Sequence, residues 1–185
     1  MKMNFRLNHI WLILWIVVFV LSTRMNITEI LANKGVNIIE NEYYRFFTGM
    51  FVHTNMVHLV ANVIALYFIV DYLCGKVNSL KLLVFSVLIG TVSNFIFSMI
   101  YRDSVSVGGS PIIFAMLGLI ITLQLHSKDV ARFTLDTLQG KWILVYVILS
   151  NIPFFSRNIS TLVIHGISLI LSFIITSFGI KFNLI

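Results

Sequence analysis

Six apolar runs, separated mostly by short polar stretches, constrain this chain more than any other feature. They cover residues 8–23, 53–74, 79–101, 111–126, 140–155 and 161–180. Each is near, or somewhat below, the ~20 residues a helix needs to cross the hydrocarbon core of a bilayer. Lipid offers backbone amides no partner, so segments of this length must satisfy their own hydrogen bonds and are predicted to be helices. Charge supports the same solvent: 11% of the residues are charged and 58% are hydrophobic, whereas soluble domains carry roughly 25% charged residues. The expectation is an all-α, polytopic membrane protein of six transmembrane helices, with residues 1–185 forming a single membrane domain.

The first run has a second reading. Lys2 and Arg6 ahead of Ile10–Leu21 have the form of a signal peptide. Leu21-Ser22-Thr23-Arg24 offers no small-x-small cleavage site, which favours a retained helix. The formal net charge is +6, yet no basic stripe interleaves with aromatics as a nucleic-acid surface requires. The basic residues instead set an orientation. With the N-terminus inside, Lys2, Arg6, Lys76, Lys81, Lys128, Arg132, Lys141 and Lys181 lie on inner segments, and Arg24, Lys34, Arg45, Arg102 and Arg157 on outer ones. This excess inside predicts that both termini lie in the cytoplasm. Cys74 is the single cysteine, so an intrachain disulfide and a thiolate metal cluster are excluded; it reads as a small apolar helix residue.

Polar residues within such helices are costly and mark function by default. Three places carry them. In the second run, His58 and Asn62 are four apart and share a helix face. His53 is five residues before His58, which on one helix turns the two rings apart; that spacing does not suit a metal, and no His-Glu-x-x-His is present. Polar bracing between helices would explain these residues equally well. Next, Val107-Gly108-Gly109-Ser110-Pro111 opens the fourth run. Glycines permit a tight turn and proline suits the first helical position, which places Ser110 at a helix N-terminus. There it is either a site for developing negative charge or a helix cap. Finally, His165 lies near the start of the sixth run, with Ser168 and Ser172 following on one small-residue face. Gly118 lies eight residues after Ser110, on the face that holds Phe114. Small residues let membrane helices approach closely, so helices four and six are expected to bring the Ser110 hydroxyl within reach of the His165 ring. The seven carboxylates (Glu29, Glu40, Glu42, Asp71, Asp103, Asp129 and Asp136) all lie away from His165 in the runs. A Ser-His-Asp triad thus lacks its acid, and a Ser-His dyad remains, with neutral imidazole taking the serine proton.

His58-x-x-x-Asn62, Gly108-x-Ser110 with Ala115 and Gly118 following, and His165 occur in the order and at the depth that resembles the rhomboid intramembrane serine proteases. The resemblance runs from Tyr44 to the last helix. It implies a six-helix bundle around a water-filled cavity that opens outward, with Ser110 as nucleophile and His165 as general base. It also implies an oxyanion hole from the side chains of His58 and Asn62 with the Ser110 amide, and a structural role for His53. Phe154 and Phe155 would sit near a cap over the cavity, and the first loop would lie partly in the membrane interface. Substrates would be transmembrane helices of other proteins; no cofactor or metal is implied. The chain departs from the family pattern at Pro111, commonly glycine, at Phe114, commonly tyrosine, and at Tyr44-Arg45, commonly Trp-Arg. The residues after His165 are Gly166-Ile167-Ser168, where family glycines more often come slightly later. An inactive, client-binding relative and a small transporter are the rival readings. Inactive relatives typically lose the serine or the histidine, and a transporter is expected to show repeat symmetry or an intramembrane charge.

Overall fold

A computed structural model describes residues 9–127, 132–152 and 159–181. Its helices, in chain order, are α1 (Ile10–Ser22), α2 (Ile27–Leu31), α3 (Arg45–Thr48), α4 (Met56–Leu73), α5 (Ser79–Ile100), α6 (Ser110–His126), α7 (Leu138–Asn151) and α8 (Ser160–Lys181). The six longer helices answer the six apolar runs. Three of them, α4, α5 and α8, are long and apolar enough by themselves to cross a membrane.

Burial is inverted relative to a water-soluble bundle. On α5 the exposed stripe is Val84, Leu88, Val92 and Phe95, while Ser86, Ser93, Asn94 and Ser98 are buried. On α8 Ile170, Ile174 and Phe178 face out, and Ser168, Ser172 and Thr176 face in. In water such apolar stripes would be a large unfavourable exposure; in lipid they are the solvated face. The chain is an integral membrane protein.

At the centre stands α6. Every residue from Ser110 to Ile120 is buried, with α4, α5 and α8 packed around it. Helix starts are fixed by side-chain caps where the sequence supplies them: Asn55 accepts from the His58 amide, Asn78 from the Leu80 and Lys81 amides, and Thr137 from the Gly140 amide. These caps explain two boundary differences. α4 begins at Met56, after its cap, and not at residue 53; α7 begins at Leu138, two residues earlier than expected. Cys74 is the residue just past α4 and is exposed, so it lies at a helix end and not within one. Phe154 and Phe155, expected near a cap over the cavity, lie outside the described residues.

The first loop is more structured than its mixed sequence indicates. Two residues of it, β1 (Asn33–Lys34), pair antiparallel with β2 (Val105–Ser106), the stretch that leads into α6. Asn33 is buried, donating from Nδ2 to Ser106 Oγ (2.9 Å) and accepting at Oδ1 from Ser98 Oγ (3.1 Å). Arg45 is buried as well: its Nη1 donates to the carbonyls of Glu29 (2.7 Å) and Ala32 (3.2 Å), and its Nε to Glu42 Oε2 (2.6 Å). The Arg45 hydrogen bond holds the Glu42 carboxyl below the usual carboxylate range. The Arg45 bonds hold the loop to itself, and the strand pair with Asn33 fastens it to the chain entering α6.

Candidate active site

The approach to Ser110 is built on two glycines. Gly108 has φ +130°, in the region that favours glycine, and its amide donates to the Gly49 carbonyl (3.0 Å). A Cβ at Gly108 would lie 2.7 Å from His58 Cε1 and 2.8 Å from His58 Nε2. The imidazole edge therefore rests against this turn. A Cβ at Gly109 would run into the ring of Trp15, a fully buried residue of α1. The two absent side chains are what let His58 and Trp15 close on the turn from different helices.

Helix α6 starts one residue earlier than the proline position implies. Gly109 is the N-cap, Ser110 is the first helical residue and Pro111 the second. Both positions have amides without intrahelical partners, so the proline costs no helix bond. Ser110 does not cap the helix, and its hydroxyl makes no hydrogen bond among the described residues.

His165 of α8 is 2% exposed and lies flat on Phe114, with ring centroids 4.0 Å apart and an interplanar angle of 10°. Phe114 is one turn after Ser110 on the same face, and helical side chains lean toward the N-terminus. The stack therefore holds the imidazole against α6 on the face that Phe114 shares with Ser110. Close packing below it sets the depth. A Cβ at Gly118 would lie 2.5 Å from the Leu169 carbonyl oxygen and 2.8 Å from Ser172 Cβ. Ser172 Oγ donates to the Ala115 carbonyl (2.5 Å), and Thr122 and Thr176 share a hydrogen bond of 2.6 Å. Ser168 is buried and donates to the Ile164 carbonyl of its own helix (2.9 Å).

On the other side of the serine turn, Asn62 is 1% exposed and tied at both ends. Its Nδ2 donates to His53 Nε2 (3.0 Å), and its Oδ1 accepts from Tyr146 Oη of α7 (2.7 Å). The Gly109 amide approaches the same His53 nitrogen at 3.5 Å. That nitrogen is therefore an acceptor, which fixes the orientation of the Asn62 amide and leaves one of its N–H groups unspent. His53 and His58 do not turn away from each other. His53 precedes the Asn55 cap, on chain that is not helical, and the two rings meet edge to face at 5.0 Å. His58 Nδ1 faces Thr54 Oγ1 at 3.3 Å; a hydroxyl donating there leaves the hydrogen of a neutral ring on Nε2, the ring nitrogen that lies against the Gly108 turn.

Sequence reasoning missed two side chains here. Tyr146 holds the Asn62 oxygen, and Asn151 Oδ1 lies 2.9 Å from His165 Nδ1. For His53 it missed the partners, Asn62 and the serine turn. No sequence spacing links Tyr146 or Asn151 to their partners, because they come from another helix. Among the described residues, no three His, Cys, Asp or Glu side chains gather as a metal site. Ser110, Asn62 and His165 are all buried, Ser110 the most exposed of the three at 8%. A surface hollow lined by Ser22, Met25, Glu29, Lys34 and Val105 contains none of them.

A search among curated proteins returned no match to the chain. The family model described as "Rhomboid domain" matches residues 40–179, about three quarters of the sequence and all of α3 to α7 with most of α8. By that match, on a bundle whose outward faces are built for lipid, the chain belongs to the rhomboid family.

Proposed function

We propose that this protein is a serine endopeptidase that cuts transmembrane segments of other membrane proteins, with Ser110 as nucleophile and His165 as general base. The observation that carries the reading is the flat stack of His165 on Phe114, one helical turn along α6 from an uncommitted serine hydroxyl. Ser110 Oγ attacks the scissile carbonyl carbon as its proton passes to His165 Nε2. The carbonyl oxygen gains the negative charge. Donors for that charge are the Ser110 amide at the start of α6, the unspent N–H of Asn62 and His58 Nε2. His165 then gives its proton to the leaving amine, leaving an acyl ester on Ser110. Water, deprotonated by the same imidazole, hydrolyses the ester. No cofactor enters the scheme. Gly108 and Gly109 admit His58 and Trp15 to the serine turn, and Gly118 and Ser168 keep α6 and α8 close.

A fluorophosphonate probe tests this directly. Labelling should require both Ser110 and His165, and Ser110→Ala and His165→Ala should each abolish cleavage of a model transmembrane substrate while folded protein remains in the membrane. Near-normal cleavage by either variant sinks the assignment. A client-binding protein without activity is the second reading. It draws support from the burial of Ser110 and from the absence of a Ser110–His165 hydrogen bond among the described residues; absence of probe labelling in the parent would favour it.

The proposed setting is a plasma membrane, as the rhomboid resemblance implies, with both termini in the cytoplasm on the excess of basic residues in inner segments. In a Cys74→Ala background, a cysteine at Asp103 should react with an impermeant outside reagent and one at Lys76 should not. The reverse pattern overturns the orientation.

A further inference from the structure

We propose that Asn151 is a positioning residue for His165: a neutral third member that holds the imidazole in the tautomer a base requires. The inference deepens the protease reading and rests on it for its catalytic meaning, though not for its geometry. Asn151 is the last residue of α7, and its Oδ1 lies 2.9 Å from His165 Nδ1. The direction of this hydrogen bond follows from the rest of the amide. Nδ2 donates to the Val147 carbonyl at 2.7 Å and lies 3.4 Å from Ser150 Oγ. Turning the amide over would set two carbonyl oxygens against each other. The oxygen of Asn151 therefore faces the ring and can only accept, so Nδ1 carries the hydrogen.

A neutral imidazole with hydrogen on Nδ1 has its lone pair on Nε2. That is the nitrogen left for the serine hydroxyl, because the ring's two other constraints, the Phe114 face and the Asn151 oxygen, fix its plane and one edge. In a Ser-His-Asp triad a carboxylate does this work and also stabilises the imidazolium. Here an amide oxygen supplies the orientation without the full charge. The distinction between the two carbonyl-type acceptors also gives the test its handle: Asn151→Asp keeps an acceptor for Nδ1 but loses the bond to Val147, whereas Asn151→Ala loses both.

The experiment reads the tautomer and the rate separately. Protein labelled with ¹⁵N-histidine, in detergent, should show the His165 signal, assigned by its loss in His165→Gln, with the hydrogen on Nδ1. In Asn151→Ala a population with hydrogen on Nε2 should appear. Turnover and the Ser110-dependent fluorophosphonate labelling rate should fall on the order of 10–100-fold, part of the about 10²–10⁴ a general base supplies, with KM unchanged. Asn151→Asp should keep the Nδ1–H tautomer and most of the rate. Hydrogen on Nε2 in the parent, or an unchanged tautomer in Asn151→Ala, overturns the proposal. So does an Asn151→Asp variant as slow as Asn151→Ala, since both then report only a lost brace at the end of α7. If the tautomer shifts as stated while cleavage and labelling prove independent of Ser110, the protease reading fails and the positioning of the ring stands.

Discussion

Between α6 and α8 the backbones themselves meet, whereas α7 is tied to the bundle by the tips of long side chains. In the first contact Gly118 leaves no room for a Cβ, and Ser172 bonds the Ala115 carbonyl across the seam. In the second, Tyr146 reaches Asn62 at 2.7 Å, Gln139 reaches Asp71 at 3.3 Å and Asn151 reaches His165 at 2.9 Å. Only Gly140, Ile143 and Tyr146 of α7 are buried, and Trp142, Val145 and Leu149 are exposed. The serine and the histidine thus stand on the closely packed pair, while the groups that orient them and their neighbours come from the more lightly held helix. A seam of small residues fixes depth and spacing. Side-chain hydrogen bonds fix angle and tautomer, and they can be lost one at a time without separating the helices.

This contrast predicts a split between turnover and stability. The largest effect after loss of Ser110 or His165 should come from the donors beside the serine turn. Asn62→Ala and His58→Ala should each lower turnover by up to about 10²–10³, or less where three donors share the charge, with substrate affinity little changed. A pure affinity loss would make both residues helix braces. A smaller pair of changes sharpens the comparison itself. Gly118→Leu overpacks the seam, a class of change that costs roughly 1–3 kcal/mol, and should lower the unfolding temperature in detergent more than it lowers the activity of the protein that remains folded. Tyr146→Phe should do the opposite. It leaves Asn62 Oδ1 without its donor and should slow turnover about tenfold, equivalent to about 1.4 kcal/mol of barrier, with a lesser change in unfolding temperature. If Tyr146→Phe melts early and turns over normally, α7 is only a wall of the bundle.

The helices were legible because lipid imposes a length, and a run of apolar residues displays it. The α6–α8 contact was legible for a related reason: Gly118, Ser168 and Ser172 are small residues at helical spacing, and a small side chain in a membrane helix has few other uses. The direction of His53 is not legible from helical periodicity, because Asn55 caps the helix and leaves His53 on non-helical chain, where spacing says nothing about direction. Tyr146 and Asn151 were not visible because their partners lie 84 and 14 residues away on other helices. The lack of a carboxylate near His165 does not leave the ring without an acceptor, because an amide oxygen accepts the same hydrogen. Arg45 reads in the sequence as an outer charge and, with Tyr44, as the counterpart of the family's Trp-Arg pair. That it is buried and bonded to two carbonyls of the first loop depends on how that loop folds back, which no pattern in its mixed sequence reveals.

Trp15 lies outside the residues that the family model matches, yet its indole fills the space beside Gly109 that any other residue there would claim. It also meets His53 edge to face at 5.3 Å. The border drawn by shared ancestry and the border drawn by packing therefore do not coincide. A fragment trimmed to the recognisable stretch would keep Ser110, His165, His58 and Asn62 and would lose the floor beneath the turn that presents the serine. For this chain the packed unit around the turn is larger than the stretch the family model matches.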